Sequence, residues 1–358
     1  MSVYYINNEE FTSAQIAKVG MDDFVLRSIS KLPSKLYKYF PNTIDKDNNR
    51  NYSKEALENN TVYLQTPIVF DDAYDCTINI DEGEFALRRL QYYANLCKFS
   101  YDSTWAFSKL LFEFSVHIYN KLNAGCSWHE IFGVSEDINA ETLTQKIFII
   151  RLMNELNQNN NPDVWGIAFY KALHNEFISV QEHIVKKFRI ACFTESPLMY
   201  KMWSSAYADN NKGFCIEYEI PPYSNEDATL FNNLLPVIYG VERTSVLEDC
   251  LKDLEGKLDA GVLWNIFKYG ILAKSDEWKE QNEWRLISCD NMLAQDYNCK
   301  FFKISKVYLG NKMENDERQK IIDICKRKNI AYIGTYCKHD RYEIAECPQL
   351  CENCNKFH

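Results

Sequence analysis

Glycine and proline are scarce in this chain, with 12 and 9 among 358 residues, and no low-complexity stretch is present. Because the hydrophobic fraction is 46% and the aromatic fraction 14%, the composition excludes collagen-like repeats and intrinsic disorder. No uninterrupted apolar run approaches the roughly 18 to 20 residues of a membrane-spanning helix. The sequence therefore predicts a compact, folded protein without a membrane role.

Positive charge is also in short supply, since 40 Lys and Arg stand against 50 Asp and Glu, for a net charge of −10. This balance disfavours nucleic acid or an anionic membrane as a default partner, although a local basic groove stays open. The 13 cysteines are an odd number, and Met1 to Phe11 is polar where a signal peptide would be basic and then apolar. We therefore expect reduced thiols and a cytoplasmic protein.

The common catalytic and metal-binding motifs are missing: the sequence has no Walker loop, G-x-G-x-x-G, G-x-S-x-G or H-E-x-x-H. Three Cys and one His lie between Cys347 and His358 and could form a zinc knuckle. However, a structural zinc site usually takes its ligands from two separated pairs, and reduced thiols on a frayed tail explain the same residues. We therefore predict no metal.

Hydrophobic periodicity divides the chain into strand-rich flanks and a helical middle. Alternating runs predict strands at 36–40, 61–65, 188–193, 213–220, 236–239, 284–287, 307–309 and 330–333. From 84 to 187 the apolar residues recur at three-four spacing, which predicts four or five helices. Because strands flank the helices, we predict an α+β protein with a split core at 1–76 and 188–345, a large helical insertion at 77–187 and a Cys-rich tail at 346–358.

One candidate site lies in the segment that follows Cys192. A strand delivers the hydroxyls of Thr194 and Ser196 at its end, and Trp203 and Tyr207 follow at i and i+4 on a helix-compatible stretch. These residues suit a slot for a flat aromatic ring. Core packing of the aromatic residues and helix capping by the hydroxyls are an equally good explanation.

A second candidate is the Gln281-Asn282-Glu283 segment before a predicted strand. If both polar residues belong to that strand, their side chains sit at i and i+2 and point to the same face. A carboxamide and a carboxylate would then enter one cleft. The alternative is a solvated rim, which is the commoner role for a charged strand end.

Acidic residues also cluster in the loop that holds Asp71, Asp72 and Asp75. They could form a metal or general-base site, but Asp is also a usual turn residue. Turn chemistry is the favoured explanation of this loop.

Eight segments outside the helical block form a recognisable set: Leu36-Tyr37-Lys38-Tyr39, Tyr63-Leu64-Gln65-Thr66-Pro67, Phe70-Asp71-Asp72, Cys192-Phe193-Thr194-Glu195, Met202-Trp203-Ser204, Tyr207-Ala208-Asp209-Asn210-Asn211-Lys212-Gly213-Phe214-Cys215-Ile216, Glu283-Trp284-Arg285-Leu286 and Val307-Tyr308-Leu309-Gly310. Through these segments, much of the chain outside the helical block resembles the bacterial domain-of-unknown-function family numbered twenty-nine seventy-one. Two departures are that Ser205 stands where the family usually has His, and that one extra residue precedes Tyr207.

The order of the parts is more distantly similar to that of ADP-ribosyltransferases. The matching parts are Tyr37-Lys38, Phe193-Thr194-Glu195-Ser196 and Gln281-Asn282-Glu283. This resemblance implies a mixed-sheet ADP-ribosyltransferase-like core that uses NAD. Lys38 is a departure, because Arg is common at that position and Lys lacks the bidentate fork.

The resemblance also implies roles at the reacting bond. Glu283 would stabilise positive charge on the ribose as the nicotinamide bond breaks, and Gln281 would hold the acceptor. Thr194 or Ser196 would hold Glu283 and the ribose in place.

The same resemblance implies cofactor-binding residues. Tyr207 or Trp203 would stack on nicotinamide, and Lys38 would meet the diphosphate or the adenosine ribose. Tyr37 and Phe193 would complete the NAD site.

The expected function is transfer of ADP-ribose to a macromolecular acceptor, protein or nucleic acid, by a toxin or phage-defence effector with an antitoxin or regulatory protein as partner. Two alternatives stay open. A metal-dependent nuclease or phosphotransferase would use Asp71, Asp72, Asp75 and Glu195. A non-catalytic defence sensor would need no reaction at Glu283.

Overall fold

A computed structural model describes residues 3–70, 72, 74–134, 139–156, 162–289 and 298–347. The strands are β1 (Val3–Ile6), β2 (Glu9–Thr12), β3 (Lys35–Phe40), β4 (Thr61–Tyr63), β5 (Phe188–Phe193), β6 (Phe214–Glu219), β7 (Leu234–Pro236), β8 (Ile238–Gly240), β9 (Ala273–Ser275), β10 (Trp284–Cys289), β11 (Asn298–Lys300), β12 (Lys303–Leu309), β13 (Ala331–Cys337) and β14 (Ile344–Cys347).

The α-helices are α1 (Ser13–Lys18), α2 (Met21–Lys31), α3 (Tyr52–Asn59), α4 (Glu82–Leu96), α5 (Phe107–Asn123), α6 (Trp128–Phe132), α7 (Ala140–Leu156), α8 (Pro162–Lys187), α9 (Tyr200–Trp203), α10 (Ala228–Asn233), α11 (Leu247–Leu254), α12 (Ala260–Ile266) and α13 (Asn315–Lys328). Short 3-10 turns occur at Pro67–Val69, Ala206–Ala208 and Asp276–Gln281, and a π-helical turn at Phe267–Ile271. The protein is thus α+β with mixed sheets, as predicted. No helix in the described ranges is both long and apolar enough to cross a membrane.

The chain divides into two compact units. The first comprises Met1–Asp75, Lys187–Glu242 and Lys274–His358, and the second Cys76–Lys186 and Arg243–Ala273. The predicted core includes 243–273, but these residues belong to the helical unit. There the backbone N–H of Val246 donates to the carbonyl of Asn79. This long-range contact is what a local pattern cannot reveal.

The described part of the predicted helical block contains five helices, α4 to α8, in agreement with the four or five predicted there, and α11 and α12 also belong to the helical unit. Its apolar core includes Leu90, Phe114 and Phe169. Within it the fully buried guanidinium of Arg89 pairs with Glu176 at 2.8 Å. Such a pair has to be complete, because one buried charge without its partner would be costly.

The largest sheet of the first unit has the order β14-β13-β12-β6-β3. Strands β12 and β13 are parallel, because α13 returns the chain between them, and the other neighbours are antiparallel. Strand β3 precedes the helical block in sequence and β6 follows it, yet they pair from Lys35 opposite Glu219 to Phe40 opposite Phe214. The two flanking segments therefore build one sheet.

A second sheet, β5-β10-β7, positions the candidate site. Its strands are antiparallel, with Phe193 opposite Trp284. An isolated bridge between Tyr37 and Thr194 brings the end of β5 against β3. Side chains of both sheets, including Leu36 and Leu286, share one hydrophobic core. The end of β5 therefore lies between the strand that bears Lys38 and the strand that follows Glu283.

Several local predictions differ from the structure. The predicted strand at 236–239 is two short strands, β7 and β8, which lie in different sheets, and the hairpin of β1 and β2 was not predicted. The predicted tail begins too early, because β14 pairs with β13 through Cys347. Residues 348–358, which carry the remaining part of the zinc-knuckle hypothesis, lie outside the described residues.

Candidate functional site

A cavity of about 920 Å³ lies beside β5 in the first unit. The bridge from Gln65 to Ile190 marks one position along this strand, and the bridge from Tyr37 to Thr194 marks another. Ile190 and Thr194 are four positions apart, which is roughly 13 Å at about 3.3 Å per residue. Because the residues of both bridges line the cavity, it extends over this length and can hold an extended ligand rather than a single ring.

Four buried charged side chains form a closed cluster at the Thr194 end of β5. The Nζ atom of Lys274 lies 2.6 Å from Oε2 of Glu283 and 3.2 Å from Oδ2 of Asp75. Arg285 pairs with the same two carboxylates, at 2.7 Å from Nε to Oε1 of Glu283 and 2.5 Å from Nη2 to Oδ1 of Asp75. We call these four residues the charge cluster.

The charge cluster is electrically balanced, with two cations and two anions. Burial alone would raise the pKa of Glu283, but Arg285 and Lys274 outweigh it and lower the pKa to about 2. Glu283 is therefore a carboxylate at neutral pH although only 4% of its surface is exposed. A buried carboxylate in this state can stabilise positive charge that develops beside it.

Lys38 lies midway along the cavity and differs from the cluster cations. Its Nζ donates to the carbonyl of Cys192 at 3.2 Å, and no described carboxylate lies within ion-pair distance. Burial lowers the pKa of Lys38, while the charge of Glu283 partly opposes that change. The ammonium of Lys38 is therefore available to an anionic ligand in the cavity.

The backbone before β10 brings Gln281 and Glu283 together in an unexpected way. Gln281 ends the 3-10 turn, Asn282 adopts a left-handed conformation with φ of 41°, and β10 begins only at Trp284. The predicted shared strand face is therefore wrong. Both side chains instead bond to Lys274, with 3.2 Å from its Nζ to Oε1 of Gln281.

The hydroxyl of Thr194 fixes the same turn from the other side. Its Oγ1 donates to the backbone carbonyl of Gln281 at 2.5 Å, and the residue is 3% exposed. The backbone N–H of Glu283 donates to the hydroxyl of Tyr239 at 2.8 Å. The backbone of the turn is therefore held at Gln281 and at Glu283.

The cavity is lined by most of the residues that the sequence singled out: Tyr37, Lys38, Phe193, Thr194, Tyr207, Gln281 and Glu283. Tyr207 is 38% exposed and presents its ring at the cavity wall. Phe193 also stacks on Phe301, with ring centroids 4.5 Å apart, and so serves the core as well.

Two predicted site residues do not reach the cavity. Trp203 is fully buried, its Nε1 donates to the carbonyl of Pro197 at 2.7 Å, and its ring packs edge-on against Tyr39. Stacking of Trp203 on nicotinamide is therefore wrong, since its ring faces the core. Ser196 caps a local turn instead, because its Oγ accepts from the backbone N–H of Leu198.

Three members of the site were not predicted: Lys274, Arg285 and Tyr239. The alternation Glu283-Trp284-Arg285-Leu286 does carry a signal for Arg285, because period-two spacing puts the two charged residues on one face. Nothing in the local pattern marks Lys274 or Tyr239. Their contacts with Glu283 span nine and 44 residues of sequence.

The acidic loop splits between two roles. Asp75 belongs to the charge cluster, whereas the side chain of Asp72 accepts from the backbone N–H of Tyr74 in a turn. Glu195 accepts from the indole N–H of Trp284. Asp71 lies outside the described residues, and within them no group of three His, Cys, Asp or Glu side chains could hold a metal ion.

Comparison with known proteins gives one family match. Residues 202–286 match a family described as "Protein of unknown function (DUF2971)". This stretch includes Tyr207, Lys274, Gln281, Glu283 and Arg285, and over residues 202–286 it supports the family resemblance; the resembling segments before and after it lie outside the match. No curated protein and no solved structure matches the chain.

Proposed function

We propose that the cavity beside β5 binds NAD and that the protein transfers ADP-ribose from it to a macromolecular acceptor. The observation that carries this proposal is the convergence of Lys38, Gln281, Glu283 and Tyr207 on one cavity. These residues come from separate parts of the chain, in the order that the resemblance to ADP-ribosyltransferases requires. The size of the cavity lies within the usual range for ligand sites, about 300 to 1,000 Å³.

Glu283 acts at the bond that breaks. Departure of nicotinamide leaves positive charge on the ribose, and a carboxylate beside the ribose hydroxyl stabilises that charge more in the transition state than in the bound substrate. Arg285 and Lys274 keep Glu283 ionised and aimed, which is required because a protonated acid could not supply the charge. Asp75 balances the second cation, so the carboxylate does not lose its effect to an excess of positive charge.

Lys38 and Tyr207 bind the other parts of NAD, which donates the ADP-ribose. The ammonium of Lys38, which has a backbone carbonyl as its described hydrogen-bond partner, is suited to a diphosphate oxygen. Tyr207 offers an aromatic surface for stacking of a nicotinamide ring at the Glu283 end. Both roles follow from an anionic, extended ligand that lies along β5.

Gln281 is the residue placed to meet the acceptor. Its side chain lies beside Glu283, held by Lys274, and its turn also carries Trp278. The surface of this turn is where a macromolecule would approach. Transfer by a toxin or phage-defence effector, controlled by an antitoxin or regulatory protein, is the biological setting in which we place this reaction.

The metal-dependent alternative has less support. Asp75 belongs to the charge cluster, whereas Asp72 and Glu195 make separate local contacts. Those described acids therefore do not converge as metal ligands would. A non-catalytic sensor would bind NAD through the same cavity and leave it intact.

The test is to incubate the full-length protein with NAD labelled in its adenylate phosphate and a cell lysate, and then to separate protein from nucleic acid. Label in either fraction that depends on Glu283 supports the proposal. The matched control is Glu280→Gln, because Glu280 is an exposed carboxylate on the same turn. Binding of NAD without cleavage would favour the sensor, and no binding would reject both.

A further inference from the structure

The ammonium group of Lys274 contacts three different side chains of the candidate site. This group has three hydrogens and no lone pair. Three acceptors surround it: Oε2 of Glu283 at 2.6 Å, Oε1 of Gln281 at 3.2 Å and Oδ2 of Asp75 at 3.2 Å. The indole ring of Trp278 covers the same group, with its centroid 5.4 Å from Nζ. Each hydrogen therefore has an acceptor of its own.

This arrangement determines which end of the Gln281 carboxamide faces the cavity. Because Lys274 can only donate, the atom that it meets must be the oxygen of the amide. The amide nitrogen is thereby turned away from Lys274, and its described partner is the sulfur of Met202 at 3.2 Å. A thioether sulfur is a weak acceptor, which a better one can replace.

We propose that Lys274 is a positioning residue that sets the polarity of Gln281, so that the site presents an N–H donor to the acceptor molecule. This inference rests on the proposed transfer reaction and deepens it.

Lys274 also links the two polar residues that the reaction needs. It holds Gln281 and Glu283 at the same nitrogen, so the acceptor-facing and ribose-facing groups keep a fixed separation. Thr194 supports the same turn through the Gln281 carbonyl. Such support from outside the reacting atoms is what holds a site within the narrow geometry that catalysis requires.

A spectroscopic experiment tests the position of Gln281 without any turnover. In the 15N–1H spectrum of the full-length protein, the Gln281 side-chain amide is assigned by its loss in Gln281→Glu. We expect two separate, slowly exchanging proton signals in the wild type, and exchange at least about tenfold faster in Lys274→Ala. Lys279→Met is the control, because Lys279 is an exposed cation on the same turn. Unchanged exchange in Lys274→Ala would overturn the proposal.

Removal of Lys274 alone leaves two buried carboxylates with one cation, so a charge-balanced variant guards against unfolding. Asp75→Asn combined with Lys274→Met keeps the Glu283–Arg285 pair and a neutral cluster. It should fold and show the same loss of Gln281 protection. If the double variant folds and the Gln281 amide still exchanges slowly, Lys274 does not determine the orientation of that amide.

Chemical rescue provides the activity readout. In Lys274→Ala we expect NAD cleavage and transfer to fall by roughly 10- to 100-fold, and propylammonium ion to recover part of the loss by replacing the missing atoms. If propylammonium ion does not restore activity to a folded Lys274→Ala variant, the proposed positioning role of Lys274 is contradicted. If the wild type does not cleave NAD, the proposed function fails, and the exchange experiment alone decides the role of Lys274.

Discussion

Lys274 and Glu283 form an ion pair of 2.6 Å between two side chains that are 4% and 5% exposed. Burial of either charge alone would be strongly unfavourable, and the pair is completed by Asp75 and Arg285 on its two sides. The result is a carboxylate that is both desolvated and ionised. That combination is the physical basis of the role proposed for Glu283.

Stability should depend on pH through Glu283. Its pKa in the folded protein is about 2, below the ordinary value of 4.5, so the stabilisation is present above pH 4.5 and is lost as the pH falls towards 2. From that difference we expect a loss on the order of 3 kcal/mol. The measurement is the midpoint of urea unfolding between pH 5 and pH 2.5.

The control for the acid series is Glu283→Gln, which has no proton to gain at this position. Its stability should be lower at pH 7, because Arg285 and Lys274 lose one partner charge, and should fall less steeply with acid. Parallel pH curves for the two proteins would contradict the assignment of the pKa to Glu283.

Gly213 should tolerate no side chain. A Cβ at this position would collide with the carbonyl oxygen of Phe40 and with the backbone of Ala208. Because backbone atoms cannot swing aside, Gly213→Ala should destabilise the protein by about 1 to 3 kcal/mol. Thermal unfolding followed by circular dichroism measures the change.

Gly166→Ala is the matched control for that substitution. Gly166 lies within α8 and has nothing within 4 Å of an added Cβ. Alanine in a helix interior is favoured over glycine by roughly 0.5 to 1 kcal/mol, so this variant should be slightly more stable. Equal loss of stability in both variants would show that close approach at Gly213 is not the cause.

Gln281→Ala should separate transfer from hydrolysis. Water needs no orientation by the carboxamide, whereas a macromolecular acceptor does, so transfer should fall by roughly 10-fold or more relative to NAD hydrolysis. The two products are measured in one reaction by labelled adenylate. An unchanged ratio of transfer to hydrolysis would remove Gln281 from acceptor binding.

Strands and helices could be predicted from the sequence where the hydrophobic pattern of neighbouring residues was enough to define them. Strands β3 and β5 agree with the predicted strands within one residue, because alternation of apolar and polar residues reports directly on burial. The helices at 243–273 were assigned to the wrong unit, because their partners are distant in sequence.

The candidate site shows the same division between local and distant information. Lys38, Gln281 and Glu283 were selected from the order of motifs, and they line one cavity. Lys274 carries no local signal, since its importance comes from three acceptors that folding brings to one nitrogen. Trp203 was chosen for its aromatic type and its i, i+4 spacing from Tyr207, and neither distinguishes a core ring from a ligand-stacking ring.

Cleavage of NAD by Glu283→Gln, compared with Glu280→Gln and the wild type, tests the central claim most directly. Circular dichroism and thermal unfolding of each variant separate loss of chemistry from loss of folding. We predict that Glu280→Gln retains wild-type cleavage and that Glu283→Gln binds NAD but cleaves it about 10² to 10³ times more slowly. A folded Glu283→Gln protein that cleaves NAD at the wild-type rate would contradict the account.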